Sequence, residues 1–120
     1  DLVNKFKNYF EKRPWGYFEN LLEEKNCKVK KLVIFPKQKI SFQFHNHREE
    51  NWYVSRGKGN VYIEDSIFPC KRGSNFFIKK KEKHSIENTG NSRLEIIEIQ
   101  SGLKLIEEDI VRLHDIYGRK

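Results

Sequence analysis

The chain of 120 residues has no methionine and only two cysteines, Cys27 and Cys70, which do not form a CxxC pair. A disulfide-rich scaffold and a CxxC redox centre are therefore excluded. No run of about 18 apolar residues is present, so no membrane-spanning helix and no membrane partner are predicted. GxGxxG and P-loop motifs for nucleotide phosphates are also missing. A single disulfide is the alternative to two free thiols, which we expect in a reducing, cytoplasmic setting.

Positive charge is in excess, with 24 Lys and Arg against 17 Asp and Glu and a formal net charge of +7. This balance favours anionic partners such as nucleic acids, phosphorylated small molecules or acidic surfaces. The lysines are spread over the whole chain and seldom alternate with aromatic residues, so nucleic acid is not predicted as a partner. A general lysine-rich composition bias is the alternative explanation.

Between residues 13 and 101, short runs rich in Val, Ile, Phe and Tyr are separated by turn sequences such as SRGKGN and CKRGSN. Regular short strands without intervening helices are typical of an antiparallel sandwich or barrel. The runs that we predict as strands are 16–22, 27–35, 39–45, 50–56, 59–64, 66–70, 74–79, 83–88 and 93–100.

Both ends of the chain have apolar residues at helical spacing. The first residues, DLVNKFKNYF, predict an N-terminal helix over 1–12. At the other end, Ile106, Ile110, Leu113 and Tyr117 follow the same period, with acidic residues in the first turn and Gly118 after the last apolar one. This pattern predicts a C-terminal helix over 104–118. We therefore predict one all-β domain over 1–120, with a barrel over 13–101 between two short helices.

The stretch QFHNHREEN contains residues that could bind a metal ion. In KISFQFHNH, apolar and polar residues alternate, so Gln43 and His45 lie on one face of a strand. Glu50 begins the next strand and can face His45, and a distant histidine, His84, can complete the set, with His47 as an alternate ligand. Imidazole and carboxylate are suitable ligands for Zn, Fe, Mn or Ni. A buried polar cluster that only satisfies its own hydrogen bonds is the alternative.

Two spacings in the chain resemble the paired motifs of the cupin superfamily, whose members are small jelly-roll β-barrels with one metal between two motifs. They are H-x-H-x2-E-x6-G from His45 to Gly57 and G-x5-K-x-K-x2-H-x3-N from Gly73 to Asn88. Four longer stretches are similar to the type II mannose-6-phosphate isomerase domain, which typically forms the C-terminal part of bifunctional mannose-1-phosphate guanylyltransferase/mannose-6-phosphate isomerases. These stretches are RPWGYFENL (13–21), VKKLVIFPKQKISFQFHNHREENWYVSRGKGNV (29–61), KHSIENTGNSRLEIIEIQSG (83–102) and EEDIVRLHDIYGR (107–119).

The resemblance implies a metal-dependent isomerase that interconverts mannose 6-phosphate and fructose 6-phosphate and feeds GDP-mannose and surface polysaccharide synthesis. The implied divalent metal is most often Zn, with Mn, Fe, Co or Ni as alternatives. A catalytic role is expected for His47, or for a carboxylate such as Glu98, as the proton carrier, and for Arg48 at the substrate phosphate. The implied metal ligands are Gln43, His45, Glu50 and His84, and further substrate contacts are Lys81 and Arg112.

The chain departs from the family pattern at four positions, which are Asn46, Asn51, Lys79 and Lys81. The family usually has histidine at the first two and Pro and Gly at the last two. Two other functions therefore stay open: a different sugar-nucleotide epimerase or ketoisomerase, and a non-catalytic sugar-binding cupin. A homodimer is expected, because small cupins commonly pair and the aromatic content is generous for one small core.

Overall fold

The computed structural model describes residues 10–114, which form eleven strands in two antiparallel sheets. The six-stranded sheet has the order β1-β2-β3-β10-β5-β8, and the five-stranded sheet has the order β11-β4-β9-β6-β7. The strands are β1 (Phe10–Arg13), β2 (Gly16–Glu23), β3 (Cys27–Ile34), β4 (Phe42–Phe44), β5 (Glu49–Arg56), β6 (Lys58–Ile63), β7 (Ser66–Lys71), β8 (Asn75–Ile78), β9 (His84–Asn88), β10 (Leu94–Ser101) and β11 (Val111–His114).

The two sheets enclose one hydrophobic core. Strand β10 lies between β3 and β5 in the six-stranded sheet. Its residues alternate as in a strand with one buried face: Leu94 and Ile96 are fully buried, whereas Ile97 on the opposite face is half-buried. The facing sheet contributes side chains such as Val61 on β6 and Ile86 on β9, both at 0% exposure. Burial of these branched side chains is the main stabilising contribution to the barrel.

The predicted all-β architecture is confirmed, and each predicted run of β residues overlaps an observed strand. Pairing across hairpins such as β6–β7 and β2–β3 is antiparallel, as the short turns between the strands require. Both cysteines are free thiols, Cys70 buried and Cys27 half-buried, as predicted. Among residues 10–114 no helix is long and apolar enough to cross a membrane. The single-domain assignment of residues 1–120 stays a prediction.

Both predicted terminal helices are wrong where the structure describes them. Residues 104–110 form loop and turn, and Val111–His114 is strand β11, which pairs with β4. The helical spacing did not determine the local structure here. The Asp109 carboxylate accepts a hydrogen bond from the Asn46 N–H just after β4, and the backbone of β11 pairs with β4. These tertiary contacts outweigh the local helical preference. Phe10–Arg13 is likewise a strand. The rest of both predicted helices, residues 1–9 and 115–118, lies outside the described residues.

Candidate metal centre and its cavity

Three buried side chains meet at one end of the barrel. Glu50 points inward from β5, His84 begins β9, and His45 follows the last residue of β4. One ligand atom from each residue lies within 4.8 Å of the other two. The three residues are at most 2% exposed, so the fold places two imidazoles and a carboxylate together out of contact with bulk water.

Both histidines are held by backbone carbonyl groups on their outer nitrogen. His45 Nδ1 lies 2.6 Å from the Asp109 carbonyl oxygen, and His84 Nδ1 lies 2.8 Å from that of Glu82. Because a carbonyl oxygen only accepts, each Nδ1 donates, which makes Nε2 the nitrogen that carries the lone pair in the neutral imidazole. These Nε2 atoms face Glu50, at 3.2 Å for His45 and 3.9 Å for His84. Carbonyl groups that fix a histidine in this tautomer are typical partners of metal-binding imidazoles.

The Glu50 carboxylate is held by two further donors. Trp52 Nε1 donates to Oε1 at 2.9 Å, and Arg48 Nε donates to Oε2 at 2.8 Å. Burial raises the pKa of Glu50, but electrostatic interaction with Arg48, His84 and His45 and the Trp52 hydrogen bond lower it by more, so the net pKa is lowered. Glu50 is therefore an ionised carboxylate at neutral pH.

His45 is neutral at the same pH. Burial lowers its pKa to about 4, with Glu50 opposing this shift and electrostatic interaction with Arg48 and His84 acting in the same direction as burial. Its Nε2 lone pair accepts a hydrogen bond from an Arg48 guanidinium nitrogen at 3.1 Å. A metal ion at His45 would compete with Arg48 for this lone pair, since one nitrogen lone pair serves one partner.

The residues fit a divalent metal ion. His84 Nε2 is buried and has no hydrogen-bond partner among the described residues. A buried polar atom without a partner is unusual in native proteins and is a common sign of an ion or ligand. Two imidazole nitrogens and one carboxylate are a known catalytic ligand set for Zn²⁺, which keeps a further position open for water or substrate.

A cavity of about 450 Å³ opens beside this cluster. Its volume is in the range of small-molecule sites. It is lined by aromatic side chains and by charged residues of both signs. The charged and amide residues that matter below are Arg13, Lys30, Gln43, Arg48, Glu98, Gln100, Glu107 and Arg112.

Glu98 is the acidic group of the cavity with the most unusual environment. It is 6% exposed, and its Oε1 accepts a hydrogen bond from Gln100 Nε2 at 2.6 Å. Burial, followed by the negative charge of Glu50, raises the pKa of Glu98 to about 8, although Arg48 and Lys30 act in the other direction. Near neutral pH this carboxyl group therefore exists in both protonation states.

The other predicted site residues divide into two groups. Gln43 and the half-buried Arg112 line the cavity, face each other across the β4–β11 pair, and stay candidates for the metal and the substrate. The Gln43 Oε1 atom already accepts a hydrogen bond from Ser41 Oγ at 2.9 Å. Arg48 is 8% exposed and bonded to Glu50 and His45, so its guanidinium is part of the cluster itself.

His47 and Lys81 have exposed side chains, and neither lines this cavity. Their backbone groups instead support the cluster: the His47 N–H donates to the Asp109 carboxylate at 2.9 Å, and the Lys81 N–H donates to the His45 carbonyl at 2.7 Å. The catalytic role expected for His47 and the substrate contact expected for Lys81 stay predictions.

Two important residues were missed by the sequence analysis. Asp109 accepts from the backbone N–H groups of Asn46 and His47, which fixes the turn that carries His45, but the helical pattern around it hid this role. Burial raises the pKa of Asp109, and these bonds lower it by more, so the carboxylate is ionised. Lys30 lies inside the cavity and is 4% exposed. Strand alternation could have found Lys30, because it shares a face with Leu32 in VKKLVI.

Comparison with known proteins gives the same architecture. A structure of an uncharacterised conserved protein with a double-stranded β-helix domain, from Klebsiella pneumoniae, superposes with a TM-score of 0.71 and 15% sequence identity, covering 94% of this chain and 95% of that one. The double-stranded β-helix is the barrel of the cupin superfamily, so the cupin fold predicted from the sequence is confirmed.

Similarity in sequence identifies the family. A mannose-1-phosphate guanylyltransferase of Klebsiella pneumoniae is 37% identical over 107 residues, which are 89% of this chain and 23% of that protein. The alginate biosynthesis protein AlgA of Pseudomonas aeruginosa is 38% identical over 107 residues, 89% of this chain and 22% of AlgA. The chain thus spans under a quarter of the length of these relatives. The family model described as "Mannose-6-phosphate isomerase C-terminal" matches residues 3–115, and the chain belongs to this family.

Proposed function

We propose that this chain is a metal-dependent isomerase domain that interconverts mannose 6-phosphate and fructose 6-phosphate. The observation that carries the proposal is the buried group of His45, Glu50 and His84, since Arg48 and Trp52, which bond Glu50, line a cavity that also contains several cationic side chains. A sugar phosphate needs both features, because its hydroxyl and carbonyl oxygens suit a metal ion and its phosphate suits a cation.

The donor set favours Zn²⁺, with Mn, Fe, Co or Ni as alternatives. When bound, such an ion would polarise the sugar oxygens at C1 and C2 and stabilise the negative charge that develops on them. His45, Glu50 and His84 would hold it, and Gln43 is the proposed fourth ligand. Trp52 and the two backbone carbonyls at the histidine Nδ1 atoms keep these ligands in fixed orientations.

The reaction requires one group that removes the C2 proton of the aldose and returns a proton to C1. Glu98 is suited to both steps, since it lines the cavity and its pKa of about 8 lies close to the working pH. Its ionised form takes the C2 proton, which leaves an enediol, and the protonated form then donates to C1. The proton of the C2 hydroxyl group moves to the oxygen at C1 to complete the ketose. His47 is the alternative proton carrier.

A non-catalytic sugar-binding cupin is the second candidate. One observation favours it: the Arg48 guanidinium already bonds both Glu50 and the His45 lone pair, so the cluster is largely satisfied without a metal ion. The departures at Asn46 and Asn51 agree with this alternative. Under it, the chain would bind a sugar phosphate without turnover.

An assay of the purified chain that couples fructose 6-phosphate formation to a visible signal distinguishes the two. We expect turnover with an added divalent metal, loss of turnover with chelator, and loss in His84→Ala. A thermal melt must show that each protein is folded. Absence of turnover with every divalent metal tried, in a folded wild-type protein, would refute the isomerase and support the binding function.

The cellular role and the assembly are further proposals. Relatives named for alginate and xanthan biosynthesis support a function in GDP-mannose and surface polysaccharide synthesis. We propose the cytoplasm as its location. A homodimer is supported by exposed apolar side chains on the outer face of the six-stranded sheet, which include Tyr53, Phe77 and Ile99. Sedimentation at the monomer mass at micromolar concentration would refute the dimer.

A further inference from the structure

Lys30 occupies an unusual position for a lysine. It lies on β3 with its side chain in the cavity and is only 4% exposed, whereas lysine is almost never buried unless it is paired. Its partner is Glu107, whose Oε1 lies 2.5 Å from the Lys30 ammonium nitrogen. The Glu107 side chain is 54% exposed. The positive charge of the buried lysine is therefore paired with a carboxylate at the protein surface.

Lys30 and Arg13 both lie over the Phe18 ring, which lines the same cavity as Glu107. Lys30 Nζ is 4.2 Å from the centre of the Phe18 ring, and Arg13 Cζ is 4.8 Å from the centre of the same ring. Burial raises the pKa of Glu107, but the bond and charge of Lys30, followed by the charges of Arg48 and Arg13, lower it by more. Three cationic side chains therefore favour a negative charge at this one point of the cavity.

The position of Lys30 relative to the metal centre suits a sugar phosphate. Lys30 pairs with Glu98 on β10, which pairs with Trp52 on β5, and Glu50 lies two residues from Trp52. Strands about 4.8 Å apart with a rise of about 3.4 Å per residue place the Cα atoms of Lys30 and Glu50 roughly 12 Å apart. An extended hexose 6-phosphate measures about 9 Å from C1 to phosphorus on bonds of about 1.5 Å. The length of such a molecule is therefore comparable to the separation between Lys30 and Glu50.

We propose that Lys30, with Arg13 beside it, binds the phosphate group of the substrate, and that Glu107 occupies this anion site until the phosphate displaces it. The inference rests on the proposed function for the nature of the substrate. A phosphate dianion carries more charge and more acceptor oxygens than the Glu107 carboxylate, so it competes effectively for the same donors. Arg48, which the sequence suggested for this role, is instead bonded to Glu50.

Calorimetric titration of the full chain with inorganic phosphate and with fructose 6-phosphate tests the site. We expect Glu107→Gln to bind both ligands about three- to tenfold more tightly, because the competing carboxylate charge is gone. Lys30→Met should bind them at least about tenfold more weakly, since it loses a charge-assisted hydrogen bond. The matched controls are Glu24→Gln, an exposed carboxylate that does not line the cavity, and Lys31→Met, which alters the outward face of the same strand. Neither control should change the affinity by more than about twofold.

Unchanged or weaker phosphate binding in Glu107→Gln would overturn the proposal, and so would wild-type affinity in a folded Lys30→Met. If Lys30→Met does not fold, Arg13→Gln replaces it, with weaker phosphate binding expected and wild-type affinity contradicting the site. The isomerase assay separates this inference from the proposed function. Phosphate binding that depends on Lys30 without turnover would refute only the isomerase. Turnover with an unchanged KM in Lys30→Met would refute only the phosphate site.

Discussion

Along β5 the inward side chains change from Val54 to Trp52 to Glu50, and along β10 they change from Ile96 to Glu98 to Gln100. The same strands thus enclose an apolar end and a polar end of one barrel. At the closed end, which we define by Val54, Val61, Ile86, Leu94 and Ile96, all five side chains are 0% exposed and pack on one another. At the polar end, which we define by Lys30, His45, Arg48, Glu50, His84, Glu98 and Gln100, the side chains are also buried, at 0–8% exposure, but carry charges and hydrogen bonds.

The two ends contribute differently to the molecule. Burial of a branched apolar side chain stabilises a protein by about 1.5–3 kcal/mol, so the closed end supplies folding stability. Buried ion pairs such as Arg48–Glu50 are often no better for stability than apolar packing, because both charges lose their water. The polar end is therefore best explained by function, and its pairing keeps the loss of stability small.

The largest effect is expected from removing one charge at the polar end. Glu50→Gln leaves the buried Arg48 guanidinium without its anion, and we expect the free energy of unfolding to fall by about 3–5 kcal/mol. Chemical denaturation measures this change. The double variant Arg48→Met/Glu50→Gln removes both charges and should recover most of the loss. A double variant no more stable than the single one would show that the charge pair is not the cause.

A similar loss is expected at the closed end for a different reason. Ile96→Ala removes a fully buried side chain and leaves a cavity, so we expect a loss of about 2–5 kcal/mol in unfolding free energy. Metal affinity of the folded variant should stay within about twofold of wild type, because the site lies at the other end. A metal affinity that falls together with stability would show that the two ends are coupled.

The pH dependence of stability distinguishes the ends more finely. Glu98 has a pKa of about 8 in the folded chain against 4.5 when exposed, so the folded state holds more protons between these values. Its contribution to stability is therefore lost as the pH rises from 4.5 through 8. We expect Glu98→Gln to lose less stability than wild type between pH 5 and pH 9, as measured by denaturation at each pH. Parallel pH profiles of the two proteins would contradict the raised pKa.

The smallest effect is expected for Lys31→Met on the outer face of β3. The Lys31 Nζ atom lies 3.4 Å from Glu95 Oε1, and the Lys31 side chain is 33% exposed. A pair of this kind contributes less than about 1 kcal/mol. Denaturation should show little change, in contrast to Lys30→Met next to it. A loss larger than about 1 kcal/mol for Lys31→Met would remove the distinction between the inner and outer faces.

Most of the barrel was predictable, because the alternation of apolar and polar residues along a strand can be seen in consecutive positions of the sequence. The alternation around Gln43 and His45 indicated an inward face, and the spacing to Glu50 and His84 suggested the cluster that the fold assembles. These inferences needed only the period of a strand and the chemistry of metal ligands.

The remaining features depend on contacts between distant segments. Ile106, Ile110 and Leu113 have helical spacing, yet β11 pairs with β4 and Asp109 bonds to the turn at His47. The Lys30–Glu107 pair joins residues 77 positions apart, and no local pattern connects them. The raised pKa of Glu98 likewise results from burial and from Glu50 on another strand.

Titration of the metal-free chain with Zn²⁺ by calorimetry tests the central claim most directly, that the polar end is a metal site built on His45, Glu50 and His84. We predict one ion per chain, loss of binding in His84→Ala, and binding within a fewfold of wild type in His47→Ala, whose side chain points to solvent. The fold of each variant is checked by a thermal melt. Undiminished Zn²⁺ binding in a folded His84→Ala, or loss of binding in His47→Ala alone, would contradict the site.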